Sequence, residues 1–393
     1  MSRKLASIAK VDAIDPIEGA DRIEVAHIKG WKVVVGKGEF KPGDLVIYFE
    51  IDSALDPTDE RYSFLAERCL KKFCTKSGEV LKQCLRLRTI RLRGVYSQGL
   101  IMPLEKFPEV TDNIVYNENL GRDVYIVPGT EECEAHEDPE VVGQDVTALL
   151  HVEHYDELVE ALRPKMGGTI SGDAMGLFPS SYIPKTDEER IQNVPEYFEE
   201  MKDRTFQLTV KSDGSSVTMF YSRTIDPESG GGFGVCSRNL RLKPQKANGE
   251  MPLPWLMAQK YDVANKLLKL SAETGNEYAF QGELVGPGIQ SNRDLLTEHE
   301  WQVFRIWDIT NQKFLNPGNT KRLCESLGFP HVTILGEHVP VFRKFKTVDE
   351  ILLFAEGKTS RGNEREGIVF KSDDDGPYVS FKAVSNRYLM KEK

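Results

Sequence analysis

Between Arg22 and Arg93 the chain is written in short runs whose apolar residues alternate with polar ones. Arg22–Ile28 (R-I-E-V-A-H-I), Trp31–Val35 (W-K-V-V-V), Asp44–Glu50 (D-L-V-I-Y-F-E) and Thr89–Arg93 (T-I-R-L-R) follow one another, punctuated by Gly30, by Gly36 and Gly38, and by Pro42-Gly43. A repeat of two places successive side chains on opposite faces of a strand, and runs this short leave no room for amphipathic helices. Such strands joined by Gly and Pro turns predict a small β-barrel over residues 1–115. The stretch from Asp56 to Gln83 breaks the pattern and reads as a charged, partly helical insertion.

Residues 116–177 read as an acidic connecting segment and linker. E-E-C-E-A-H-E-D-P, beginning at Glu131, has too little apolar content to bury, and the Gly-rich stretch from Gly167 to Gly172 has the composition of a flexible joint. From 178 to 393 apolar strands alternate with fewer helices. Phe206–Val210, Ser216–Ser222, Tyr278–Leu284, Gln302–Ile309, Gly367–Lys371 and Tyr378–Lys382 are strand candidates. Leu256, Val263, Ala264, Leu267 and Leu268 fall on one face of a helix, and Thr347-Val-Asp-Glu350 is a capping box opening another. The whole is α+β, with antiparallel sheets flanked by helices in the second part.

Charge narrows the partners. The net charge of −10 argues against a protein that coats nucleic acid by bulk attraction. Yet from Arg68 to Arg93 nine bases face a single acid, Glu79, a local sum of +8 suited to selective phosphate contact. The six cysteines form no disulfide framework and match no zinc spacing. The first residues, M-S-R-K-L-A-S-I-A-K, contain no signal-peptide core, and no run approaches the ~20 apolar residues of a membrane helix. A cytoplasmic, monomeric protein without membrane contact is expected.

Chemistry concentrates at 208–216, L-T-V-K-S-D-G-S-S. At neutral pH, removing the proton of an ordinary lysine costs about 4.6 kcal/mol. A neighbouring carboxylate raises that cost, so Asp213 beside Lys211 makes chemical sense if a divalent cation reverses the local sign. The pair therefore points to a lysine that attacks a phosphate of a metal-bound nucleotide.

Further motifs follow in order: Ser237-Arg238-Asn239, Phe280-Gln-Gly-Glu283, Val303-Phe-Arg-Ile-Trp307-Asp308, Glu366-Gly-Ile-Val-Phe-Lys371 and Ser380-Phe-Lys382. With Lys-x-Asp-Gly at 211–214, this series resembles the covalent nucleotidyltransferases: DNA ligases, RNA ligases and mRNA capping enzymes. Upstream, Ile183-Pro-Lys-Thr-Asp-Glu-Glu-Arg190-Ile-Gln192 and the ending Lys382-Ala-Val-Ser-Asn-Arg-Tyr-Leu are similar to the nick-sealing RNA ligases of the Deinococcus type. Asp15-Pro16, Gly19–Val25 and Arg93–Leu100 resemble the OB-type tRNA-binding modules of synthetases. Only eleven residues follow Lys382. DNA ligases and capping enzymes carry an OB domain after that point, whereas here the OB-like module comes first.

The resemblance implies an N-terminal OB-like, RNA-binding barrel and an adenylyltransferase (ATP-grasp-like ligase) domain. It implies an ATP-dependent RNA ligase, using Mg²⁺ or Mn²⁺, that joins 3′-OH and 5′-phosphate ends at nicks in duplex RNA or RNA-containing hybrids through lysyl-AMP and adenylylated RNA. Lys211 is the implied nucleophile and Lys382 its transition-state partner. Arg190, Gln192, Arg238, Glu283, Trp307 and Lys371 are the implied ATP or AMP contacts, with Trp307 stacking on adenine. Asp213, Glu283 and Glu366 are the implied metal-site acids. One departure stands out: the final motif often carries two lysines two apart, and here Ser380 and Val384 flank Lys382 at those offsets. DNA ligation, mRNA capping and non-catalytic RNA binding remain alternatives, separable by nucleotide preference and by AMP transfer.

Overall fold

A computed structural model describes residues 3–128, 140–162, 166, 174–185, 187–225, 232–246, 248–359 and 362–391. The acidic run from Glu131 to Pro139 and the Gly-rich stretch at 167–172 lie outside the described residues. The chain forms two compact units, Met1–Thr169 and Ile170–Lys393.

In the first unit the alternating runs form two three-stranded antiparallel sheets. One sets Leu45–Phe49 between Ala6–Lys10 and Leu100–Pro103; the other sets Ile23–Ile28 between Ala13–Pro16 and Trp31–Gly36. The alternation is visible in Trp31–Gly36, where Trp31, Val33 and Val35 are buried and the residues between them are not. A hairpin, Ile90–Leu92 with Val95–Ser97, stitches the edges: Val34 N donates to Ser97 Oγ (2.9 Å) and Gln98 N to Lys32 O (2.8 Å). At Gly99 a Cβ would lie 2.5 Å from the Phe49 carbonyl, and φ is +101°, so only glycine lets this crossing close.

The insertion is half β-structure. After a 3-10 turn (Glu60–Leu65) and a single helical turn (Ala66–Cys69), Leu70–Cys74 pairs with Val80–Arg86, and the latter extends the sheet through Ala54 and Leu55. The described part of the expected connector up to Leu162 also belongs to this unit, whereas Ala174–Leu177 joins a sheet of the second. Ile114–Asn117 pairs with Arg122–Tyr125, Leu5 N donates to Thr147 Oγ1 (2.9 Å), and Val146, Leu150 and Val152 sit in the core with Phe49 and Phe107. An acidic average hid a few apolar residues at core spacing.

The second unit holds two sheets. The larger runs Ala174–Leu177, Leu240–Leu242, Gly232–Cys236, Ser215–Ser222, Tyr278–Val285, Glu300–Asp308, Lys313–Phe314. The smaller runs Glu189–Arg190, Ser380–Val384, Gly367–Ser372, Phe206–Lys211, Ile334–Val339, with only the first pair parallel. Helices Leu253–Lys260, Val263–Thr274 and Pro317–Leu327 contribute to the apolar core of the larger sheet; Val341–Lys344 and Val348–Ala355 do so for the smaller. Thr347 caps the last of these, its Oγ1 accepting from Glu350 N at 3.2 Å. The helix expected over 256–270 is broken: Asp262 takes a left-handed φ of 51°, which resets the phase. Val263 and Leu267 are buried as expected, whereas Leu256 and Leu268 face solvent.

Candidate functional site

The turn Lys211-Ser-Asp-Gly214 is where the chain leaves the smaller sheet and enters the larger. Strand Phe206–Lys211 ends in one and Ser215–Ser222 begins in the other. A Cβ on Gly214 would lie 2.4 Å from the Leu284 carbonyl and 2.8 Å from Glu283 Cγ, so the turn presses against the Glu283 strand as only glycine permits.

Cross-strand pairing then fixes which side chains share a face. In the smaller sheet Lys211 pairs with Gly367, Thr209 with Val369 and Gln207 with Lys371, while Val369 and Lys371 pair with Lys382 and Ser380. Arg190 pairs with Lys382 from the parallel edge strand. Lys211, Lys371, Lys382, Ser380 and Arg190 are thus on one face, and Phe206, Leu208, Phe370 and Phe381 fill the core behind it. In the larger sheet Ser216 pairs with Glu283 and Glu283 with Gln302. Ser212 Oγ donates to Gln302 Oε1 (3.0 Å), linking the turn to that sheet.

The nucleophile candidate is a tied ammonium. Lys211 Nζ donates to Glu366 Oε1, and both side chains are largely buried. Burial alone would lower the lysine's pKa, but Glu366, Glu283 and Glu188 outweigh it and hold the pKa above its ordinary value. Burial pushes the Glu283 carboxyl up to about 8, Glu366 and Asp213 adding to the effect and Lys211 opposing it. Asp213 is engaged elsewhere, accepting from Arg293 Nε (2.7 Å) and from the Tyr388 hydroxyl (3.1 Å). Among the described residues no group of three or more acids, histidines or cysteines is placed to chelate an ion directly. Glu283, whose charged form is costly without a cation nearby, and Glu366, held by Lys211, fit a hydrated divalent ion contacted through its waters.

Trp307 donates from Nε1 to the Tyr182 carbonyl (2.8 Å) and meets the Phe314 ring edge-on at 4.7 Å between centroids. It packs with Phe178, Phe220 and Ala279. Arg238 reaches both Asp187 oxygens at 3.1 Å, and these two line a small cleft with Phe178, Lys185, Ser216 and Thr218. Sequence reading did not single out Phe178, Lys185, Asp187 or Thr218; Lys185 and Asp187 lie within the upstream motif, where charge was the available signal. Gln192 is buried in the 3-10 turn after Arg190. Lys371 is buried and donates to the Phe304 carbonyl of the larger sheet.

In the first unit the basic stretch divides. Arg86 is buried over the Tyr155 ring (4.1 Å) and near Asp52, and Lys82 pairs with Glu153. Arg68, Lys72, Lys76, Arg88, Arg91 and Arg93 remain exposed. Arg93 and Gly94 form the hairpin tip with φ of 47° and 88°, an orientation a non-glycine residue seldom adopts.

Comparison with known proteins agrees with this architecture. An OB-fold domain family model matches residues 5–104 and the RNA ligase family model matches residues 204–384. No curated protein matches by sequence search. Among solved structures, a Naegleria gruberi RNA ligase variant with AMP and Mn is 34% identical over 99% of both chains, with a TM-score of 0.77. The same organism's RNA ligase with PPi is 34% identical, covering 100% of this chain and 99% of the other, at a TM-score of 0.76. A variant with ATP and Mn is 34% identical over 99% of this chain and 98% of the other, at 0.75. Fold and site thus define a nucleotidyltransferase preceded by an OB-fold. The chain belongs to the RNA ligase family and is an ATP-dependent RNA ligase.

Proposed function

We propose that this ligase seals nicks in duplex RNA, joining a 3′-OH to a 5′-phosphate in three nucleotidyl transfers that begin at Lys211. The observation that carries the reading is Lys211 held by Glu366 and beside Glu283 in the turn joining the two sheets. In the first step the neutral Lys211 amine attacks the ATP α-phosphorus; a P–N bond forms, the bond to the bridging oxygen breaks, and pyrophosphate leaves. The RNA 5′-phosphate then attacks the same phosphorus, freeing the lysine and yielding adenylylated RNA. The 3′-OH attacks the 5′-phosphate, AMP leaves, and the phosphodiester is complete.

Each residue has a physical task. Lys382 and Arg190, paired across adjacent strands, supply positive charge on the face that carries Lys211, where phosphate oxygens gain charge in the transition state. Trp307 offers adenine a flat partner, a contact worth ~1–3 kcal/mol. Arg238 faces the AMP or the 5′-phosphate. Glu283, Glu366 and Asp213 would hold a hydrated Mg²⁺ or Mn²⁺ ion, which when bound would supply charge that favours the neutral amine. Gln192, buried in the turn after Arg190, contacts the nucleotide. The exposed bases of the OB unit hold RNA phosphates.

The test is AMP transfer followed by sealing. Labelled ATP with Mg²⁺ or Mn²⁺ should mark the wild type and leave Lys211→Ala unmarked, and nicked duplex RNA should be sealed in preference to nicked DNA. Label from GTP instead would indicate capping, equal sealing of all-DNA nicks would indicate DNA ligation, and RNA binding without AMP transfer would indicate a non-catalytic protein.

A further inference from the structure

The strand Glu300–Asp308 carries one residue too many. Gln281 pairs with Arg305 and Gly282 with Val303, which leaves Phe304 as a bulge. An inserted residue advances the alternation of faces by one. Gln302 before the bulge and Arg305 and Trp307 after it therefore share the face of Glu283 and Gln281. In an unbroken strand Ile306 would take that face, and Trp307 would turn toward the apolar core that Ile306 now occupies at 0% exposure.

A bulge leaves a backbone carbonyl outside the ladder, and inside a protein that oxygen needs a donor. The donor comes from the other sheet. Lys371, 2% exposed, sends its Nζ to the Phe304 carbonyl and lies 5.8 Å from the centroid of the Phe304 ring. It makes no ion pair among the described residues; Glu188, the acid that acts on it most, is 3.4 Å from Arg305. A lysine without a carboxylate at this depth is costly, and burial brings its pKa down to about 8. A cost of that kind implies a return, and among the described residues the group it serves is the bulge.

We propose that Lys371 is a positioning residue for AMP transfer: by capping the Phe304 carbonyl it holds the bulge that turns Trp307 onto the nucleotide face, and it acts on adenine through Trp307 without touching a phosphate. This rests on the reading of Trp307 as the adenine platform.

The two can be separated by binding measurements on the full chain in a Lys211→Ala background, where no AMP is transferred. Trp307→Ala should weaken adenosine binding about tenfold; no change there removes the adenine platform and the proposal with it. Given that loss, Lys371→Met should weaken adenosine and ATP alike by about tenfold, leave pyrophosphate affinity within about twofold, and add less than about twofold to Trp307→Ala. Lys371→Gln keeps an N–H donor without the charge and should bind adenosine within about threefold of the parent. Since this variant preserves a partner for the carbonyl, it serves even if the Met variant does not fold. Loss of pyrophosphate affinity in either variant, additive losses with Trp307→Ala, or unchanged adenosine binding in Lys371→Met would overturn the proposal.

Discussion

Lys211 donates its ammonium to Glu366, and the two meet because the last residue of one strand, Lys211, pairs with Gly367, the residue after Glu366. This contact stabilises the charged lysine, which is the unreactive form. Its pKa lies above the ordinary value under the influence of Glu366, Glu283 and Glu188, which overcome burial. The neutral amine is therefore scarce at neutral pH and becomes more abundant as pH rises. At saturating ATP the single-turnover rate of AMP transfer should rise with pH, and the rise should move to lower pH as Mg²⁺ is raised, since a bound cation opposes these acids. A pH profile that does not move with Mg²⁺ concentration would contradict this. Glu366→Gln removes the brake and, if Glu366 is a metal-site acid as proposed, that acid with it, and the second loss should dominate, with a rate drop of more than about hundredfold.

Glu283 trades stability for function. Its carboxyl titrates near 8 in the fold, far above the ordinary glutamate value of 4.5. A group whose folded pKa is raised favours folding fully below its unfolded pKa and loses that advantage as pH rises through the folded one. Glu283→Gln should therefore melt higher than the wild type at pH 8.5, by several degrees, with the gap closing toward pH 4.5. AMP transfer should fall more than about tenfold in the same variant. Equal melting temperatures at both pH values would contradict the assignment.

Asp213 is held by Arg293 (2.7 Å) and Tyr388 (3.1 Å), and the Arg293 guanidinium lies 4.4 Å from the Tyr388 ring centroid. The pair is largely buried, so Arg293→Ala leaves a stranded carboxylate and should destabilise the second unit by about 2–3 kcal/mol. Tyr388→Phe removes one hydrogen bond and should cost about 1 kcal/mol. Adding Asp213→Asn to Arg293→Ala should recover stability but not AMP transfer. Thermal melts and labelling of the single and double variants check both.

Arg91 and Arg93 are exposed on the short hairpin whose tip is Arg93-Gly94. If they contact RNA phosphates, replacing both with alanine should weaken nicked-duplex binding and lower the salt dependence by about two phosphate contacts. AMP transfer without RNA should remain unchanged. An unchanged salt slope would contradict RNA contact by this hairpin.

Much of this was legible in the chain because its signals are local. Alternating residues foretold Ile23–Ile28, Trp31–Gly36 and Tyr278–Val285 to within a residue or two, and Thr347 with Glu350 foretold a helix start. Lys211 and Glu366 meet because one ends and the other precedes adjacent strands of the smaller sheet, and Glu283 is on the strand that pairs with Ser215–Ser222, into which the Lys211 turn leads. The insertion was harder, since Leu70–Cys74 buries only Phe73 and shows no alternation. The connector was hidden by its average charge, and the helix break at Asp262 by a conformation that no residue pattern announces. The Phe304 bulge left no mark either: a one-residue slip is visible only once the partner strand is known. That slip leaves the carbonyl to which Lys371, in a motif read as a nucleotide contact, donates.

The central claim is tested most directly by mass spectrometry of the intact protein and its peptides after incubation with ATP and Mg²⁺. One AMP should be found on the peptide containing Lys211, absent from Lys211→Ala and removed by added pyrophosphate. An AMP adduct on any other residue, or none on the wild type, would contradict the account.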